Sequence, residues 1–367
     1  MSRNMTSTEY DMPRLSAILI FSALALSGCG GGGGASPSTA TTVEPLAIAD
    51  SASERTLHGA AVKGPLLFAT VTAYRLDTNH NAFFDSAAPI ATGHTDGHAA
   101  ISSVVIPAQE SAPLILVVDG SHSTDVNTGM KPVLDTLITV VSDAQLNGNA
   151  VYPTPLTTLA FYIARLRAGP GASVDEFLAA HTEAVALITD TFPALDSDGV
   201  DILSDPPLLT TTTVSAAQQQ RVLTHRTIAE GLASLAFDTA AQRPSSAESL
   251  SADTALELFA EDLASDGALD GLAHDAPIAL LTPELFSRAL AEVTLPNTSA
   301  RLDQSIALLY QDLSYTGAST VLLTADLRID GNQSVGLQRT RTITTGGPAA
   351  QRWTLHWNPN DDYVAGY

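Results

Sequence analysis

The chain has 367 residues, with 17 basic against 39 acidic side chains, a formal net charge of -22 and a single cysteine. The acidity argues against nucleic acid, whose phosphates would be repelled, and one cysteine excludes an internal disulfide framework or a CxxC zinc site. At 45% hydrophobic and 15% charged residues, the chain can bury real cores, which argues against wholesale disorder.

Residues 12–29 read MPRLSAILIFSALALSGC. Arg14 supplies a positive start, and Leu15 to Leu26 is an apolar run too short to span a bilayer as a stable helix. The run closes on Leu26-Ser27-Gly28-Cys29, the pattern of a secretory leader ending in small residues. It closely resembles the lipobox of bacterial lipoproteins. That resemblance implies cleavage before Cys29, a diacylglycerol on its thiol and an N-acyl chain on its amine. Residues 1–28 are therefore expected as a signal peptide and Cys29 as the lipid attachment site. Glu9 and Asp11 are unusual in a leader, and Met1, Met5 and Met12 are alternative starts. In the resembling family an Asp after the cysteine retains the protein in the inner membrane. Gly30 stands there, which implies the outer membrane of a Gram-negative envelope.

Residues 29–56 open with Gly30 to Gly34 and continue in Ser, Thr and Pro, the composition of a flexible tether. Residues 57–145 read as short strands. Ala69 to Asp77 is rich in β-branched and aromatic residues, Thr95-Asp96-Gly97 is a hairpin-type turn, and Leu114 to Val118 is apolar. Strands separated by turns imply a small antiparallel β-sandwich.

Residues 146–314 change period. Thr154-Pro155 reads as an N-cap with proline at the first helical position, followed by Leu156, Leu159, Ile163 and Leu166 on one face. Ser173 and Glu176 form a capping box. A longer helix is expected near 215–238, another behind Thr282-Pro283, and a last one on Leu302, Ile306, Leu309 and Leu313. This predicts five or six helices. Over residues 315–367, Val321, Leu323, Ala325, Leu327 and Ile329 alternate with polar neighbours, as do Trp353, Leu355 and Trp357. That spacing predicts a three-stranded meander, with both tryptophans packed on the last helix in preference to forming a carbohydrate- or lipid-binding platform. The fold class expected is α+β: a small antiparallel β-sandwich, an α-helical domain and a short C-terminal β-meander.

The order of elements carries a second resemblance. Gly64-Pro65-Leu66, Ala69 to Tyr74, Thr95-Asp96-Gly97, Val117 to Gly120 and Thr154-Pro155-Leu156-Thr157-Thr158-Leu159 follow one another. This resembles the carboxypeptidase-regulatory-like (transthyretin-like) β-sandwich of bacterial surface lipoproteins, with the TPLTT helical region that often follows it. The resemblance implies a fold, an extracytoplasmic setting and a module without catalytic residues.

Chemistry-bearing motifs are sparse. Asp77, Asn79, Asn81 and Asp85 place oxygens at alternate positions of a loop, as a hard Ca2+ ion needs; a solvated Asx turn gives the same spacing. Asp196, Asp198 and Asp201 form a second acidic loop, a weaker metal candidate that also reads as a helix connection. Asp262, Asp266 and Asp270 are weaker again, and His94, Asp96 and His98 lose their common face to the turn. GxSxG, SxxK, HExxH and P-loop motifs are missing from the chain. Ser121 and His122 are adjacent, which seldom aligns a nucleophile with its base.

The function expected is a lipid-anchored cell-envelope protein, a non-enzymatic binding or structural module stabilised by calcium, with an envelope protein as partner. The alternative is an accessory lipoprotein of an envelope transport system for hydrophobic compounds, ahead of a hydrolase.

Overall fold

The computed structural model describes residues 53–241, 250–273, 276–278, 280–281, 283–286, 288–318, 320–332, 339–344 and 352–357. Cys29, the leader, the tether to residue 52 and Thr282 lie outside the described residues, as do the side chains of Trp353 and Trp357.

The protein is mixed α and β with small antiparallel sheets. Its amino-terminal half carries β1 (Arg55–Thr56), β2 (Gly59–Ala60), β3 (Leu66–Leu67), β4 (Thr70–Arg75), β5 (Ala91–His94), β6 (Ala100–Ile101), β7 (Val105–Ile106), β8 (Leu114–Asp119), β9 (Thr124–Asp125) and β10 (Thr136–Val141). Four of them form one antiparallel sheet in the order β10-β8-β4-β5. The short strands pair separately, β1 with β7, β2 with β6 and β3 with β9. β4 alternates between half-buried and buried residues, whereas β8 and β10 are apolar and buried almost throughout. A continuous apolar run is what a strand covered on both faces requires. The expected turn at Thr95-Asp96-Gly97 is present: the Asp96 carboxylate accepts from the backbone N–H groups of His98 and Ala100.

Helices then take over. They are α1 (Asp143–Leu146), α2 (Pro155–Ala168), α3 (Val174–Thr191), α4 (Pro193–Ser197), α5 (Ala216–Ala241), α6 (Ala252–Asp266), α7 (Pro283–Phe286) and α8 (Ile306–Thr316). Two caps read from the sequence are made as expected. Thr154 and Thr157 exchange side-chain and backbone hydrogen bonds at the head of α2, and Ser173 and Glu176 do so at α3. Reciprocal caps satisfy donors that the first helical turn leaves unpaired.

The TPLTT segment does more than start a helix. Thr158 Oγ1 accepts from the Ile138 N–H at 2.8 Å, and Thr157 Oγ1 donates to the Ile138 carbonyl at 2.8 Å. Ile138 lies on β10, an edge strand whose outward backbone groups would otherwise be orphaned. Asp253 of α6 completes the cover by accepting from the Asp135 and Thr136 N–H groups. Burial raises the pKa of Asp253 against the lowering effect of these bonds. The chain after α1 pairs with β2: Gly59 lies so near Val151 that a Cβ there would stand 1.8 Å from the Val151 carbonyl oxygen.

The carboxy-terminal region corrects the three-stranded meander. Residues 339–344 (β13, Arg339–Thr344) and 352–357 (β14, Arg352–Trp357) form a two-stranded antiparallel hairpin, but 321–329 is not a strand. β11 (Leu272–Ala273) and β12 (Ala276–Pro277) pair earlier in the chain. Val321, expected to face inward, is 77% exposed, while Leu327 is buried. The segment is held by side chains of α5 instead of by a neighbouring strand. Gln219 donates to the Val321 carbonyl and accepts from the Leu323 N–H; Gln220 does the same for the Arg328 carbonyl and N–H. A primary amide offers a donor and an acceptor side by side, so it replaces a ladder partner. Alternating hydrophobicity records an extended backbone, not what pairs with it.

Buried apolar side chains of the β region and of the helices form one continuous core, from Leu57 through Val118, Val141 and Phe161 to Phe259 and Leu302. A smaller cluster of Leu209, Val222, Leu223, Leu309 and Leu327 lies where 320–332 crosses α5.

Candidate functional site

In the two acidic loops Asp77, Asp85, Asp198 and Asp201 accept hydrogen bonds from nearby protein groups. Asp77 accepts from the backbone and side-chain nitrogens of Asn79 at 3.0 Å and meets His80 Nδ1 at 2.9 Å. The hydrogen bonds from Asn79 are the main reason its pKa is lowered. Asp85 accepts from the Ala87 N–H. In the second loop, Asp198 accepts from Thr224 Oγ1 and from Gln220 Nε2. Asp201 accepts from the Leu203 N–H and from Ser204 Oγ, while Asp196 lies in α4, whose end it helps to close through its carbonyl. Among the described residues no three His, Cys, Asp or Glu side chains cluster closely enough to hold a metal ion. Asp262 is fully buried and takes the backbone N–H groups of Asp270, Gly271 and Leu272 at 2.7 to 3.0 Å, which shapes the loop after α6.

The main concentration of charge lies elsewhere, on residues that the sequence patterns did not single out. Lys63 occupies the tight turn between Val62 and Pro65. Its Nζ lies 2.7 Å from Asp125 Oδ2 and 3.2 Å from Glu230 Oε2. Arg226, one helical turn before Glu230 on α5, places Nε 3.0 Å from Glu230 Oε1 and Nη1 3.2 Å from Asp312 Oδ2 on α8. It also donates to the Asn127 side chain and the Pro207 carbonyl. All five charged side chains have 0% exposed surface. The approach is close enough to demand glycine: a Cβ on Gly64 would stand 2.0 Å from Asp125 Oδ1.

Two cations against three carboxylates leave an excess negative charge if every group is ionised. Isolated buried charge is costly, so such groups share charge or take up a proton. Burial raises the pKa of both Glu230 and Asp312, overriding the lowering by Lys63 and Arg226. For Lys63, the two facing carboxylates outweigh burial and raise its pKa. The five groups are close enough to titrate as one coupled unit.

A separate cleft of about 780 Å³ opens between the end of the β8–β10 hairpin, α1, α3 and the 201–204 loop. Val140, Val141, Leu178 and Leu203 line it, with Asp143 and Asp201 among its polar residues. His181 reaches it from α3, is 5% exposed and stacks on Phe177. Burial alone lowers its pKa to about 4, so the ring is neutral near pH 7, and its Nε2 meets no hydrogen-bond partner. A general base needs a third group to orient it. Among the described residues no carboxylate is hydrogen-bonded to the His181 ring, whose Nε2 is free to meet a ligand's hydroxyl or N–H.

No protein-family model, curated protein or solved structure matches the chain. Among the described residues, no helix is long and apolar enough to cross a membrane.

Proposed function

We propose that this is a lipid-anchored protein of the bacterial envelope, fastened to the outer membrane through Cys29, whose folded body binds a partner and performs no catalysis. The observation that carries this reading is the sequence Leu26-Ser27-Gly28-Cys29 at the end of a short apolar run, with the chain's one cysteine at the cleavage point. The glycine run behind it supplies reach. Its β region, taken as a sandwich of the carboxypeptidase-regulatory-like kind, supports the extracytoplasmic setting. Binding is preferred to catalysis because the charged groups that cluster most closely lie in the sealed five-residue network, where a substrate does not reach them.

The cleft at His181 favours a second reading, an accessory lipoprotein of a transport system for hydrophobic compounds. Val140, Val141, Leu178 and Leu203 give it an aliphatic part, and the unpartnered Nε2 of His181 suits a neutral ligand better than an anion beside Asp143 and Asp201.

Two acyl chains hold a protein stably on a bilayer where one does not. Cys29→Ser is therefore expected to move the protein from the detergent-soluble membrane fraction to the soluble fraction and to abolish metabolic palmitate labelling. A variant that stayed with the membranes would overturn the anchor.

A further inference from the structure

We propose that Lys63 and Asp125 are joined, after folding, by an amide bond between their side chains, with Glu230 as the proton carrier. The inference rests on the buried network and is independent of the anchor. Three observations converge on it. Lys63 Nζ and Asp125 Oδ2 are 2.7 Å apart, and both side chains are fully buried, so no bulk water competes for the carboxyl. Glu230 Oε2 stands 3.2 Å from the same Nζ and receives no well-aligned hydrogen bond. The far oxygen of Asp125, Oδ1, accepts the Asn127 N–H at 2.8 Å.

The groups occupy the roles that acyl transfer needs. In the resting arrangement Lys63 is an ammonium ion facing two carboxylates. It passes one proton to Glu230 Oε2, a carboxyl that burial already favours in its neutral form. The free amine attacks Asp125 Cγ. Negative charge gathers on Oδ1, where the Asn127 N–H meets it. The nitrogen gives up a second proton, and Oδ2 leaves with both protons as water. One C–N bond forms and one C–O bond breaks. Glu230 ends as it began, nothing is oxidised or reduced, and the sole by-product is water. Holding the reactants at contact distance in a dry site is the main source of acceleration in such intramolecular reactions. The same Gly64 that permits the approach is needed for the attack, because a Cβ there would strike Asp125 Oδ1.

The product is a covalent bridge between the turn at Lys63 and β9. With a single cysteine in the chain, a disulfide cannot supply such a cross-link. The test is mass spectrometry of the folded full chain and of its tryptic digest. The expected result is a mass lighter by one water, an uncut Lys63–Gly64 bond, and a branched species joining the peptides of Lys63 and Asp125. Glu230→Gln should restore the full mass while leaving the far-ultraviolet circular dichroism unchanged. If Glu230→Gln weakens the fold, the wild-type digest still decides the matter. A wild-type mass equal to that of the sequence after prolonged incubation overturns the proposal. So does a lost water that maps to a succinimide at one of the Asp-Gly pairs, at Asp96, Asp119, Asp198, Asp266, Asp270 or Asp330, and is recovered in mild alkali. A cross-link that survives Glu230→Gln overturns the role of Glu230.

Discussion

Arg226 illustrates how much one side chain depends on its surroundings. It donates to groups from α5, α8 and two loops with no solvent contact. Removing one partner of a buried set leaves the others uncompensated, at a cost of about 3–5 kcal/mol, whereas an exposed pair contributes about 0–1 kcal/mol. Arg226→Met should therefore lower the urea midpoint far more than Lys131→Met, which breaks only the exposed 2.9 Å pair with Asp135. Equal midpoints would remove the network from the account of stability. The histidines make a second residue-scale prediction. Burial holds His181 and His225 down to about 4, so each is neutral in the fold and takes up a proton more readily when unfolded. Stability from this source is complete above about pH 6.5 and is lost as the pH falls toward 4. Glu230 and Asp312 work in the opposite sense, since burial raises them and their contribution fades as the pH rises. Comparing His181→Phe with the wild type isolates one ring. Between pH 6.5 and 4 the wild type should lose on the order of 2–3 kcal/mol more than the variant. Parallel stability curves from urea melts would contradict a neutral buried imidazole.

Among the elements, β10 and the 320–332 segment pose the same problem, backbone groups with no strand beside them. Both are satisfied by side chains projecting from helices: Thr157 and Thr158 for β10, Gln219 and Gln220 for 320–332. An unpaired buried backbone group costs about 1–3 kcal/mol. Thr158→Val keeps the volume of the side chain but strips the acceptor from the Ile138 N–H. It should destabilise by that amount and expose a strand edge to pairing between chains. Light scattering on warming would register the second effect, and an unaltered melt with no added scattering would show that β10 needs no cover. These devices also mark the limit of reading by pattern. The caps at Thr154 and Ser173 were legible because partner and donor lie within one helical turn. The Ile138 contacts were not, although the same TPLTT residues make them, because the sequence does not say which strand a helix start will meet.

For the molecule as a whole, the continuity of the core matters more than the change from strands to helices near residue 146. Apolar residues of both regions belong to one cluster, and the buried charges link the turn at Lys63 and β9 to α5 and α8. Regions that share a core and a sealed ionic network should unfold together. Circular dichroism at helix and strand wavelengths is expected to give coincident urea transitions for residues 53–332. Two separated transitions would mean that the β region and the helices are independent bodies.

What the sequence by itself determined is local or compositional: the turn at Thr95-Asp96-Gly97, the helix caps and the mixed α and β character. These depend on neighbours a few residues apart, where the backbone leaves little choice. Tertiary structure decided the rest. Lys63 and Asp125 are 62 positions apart, and Arg226 and Asp312 are 86 apart. Arg226 and Glu230 stand four positions apart, a spacing that exposed helix pairs share, so it does not mark them as buried. Only packing removes water from all of them, and removing water turns five ordinary charges into one coupled group.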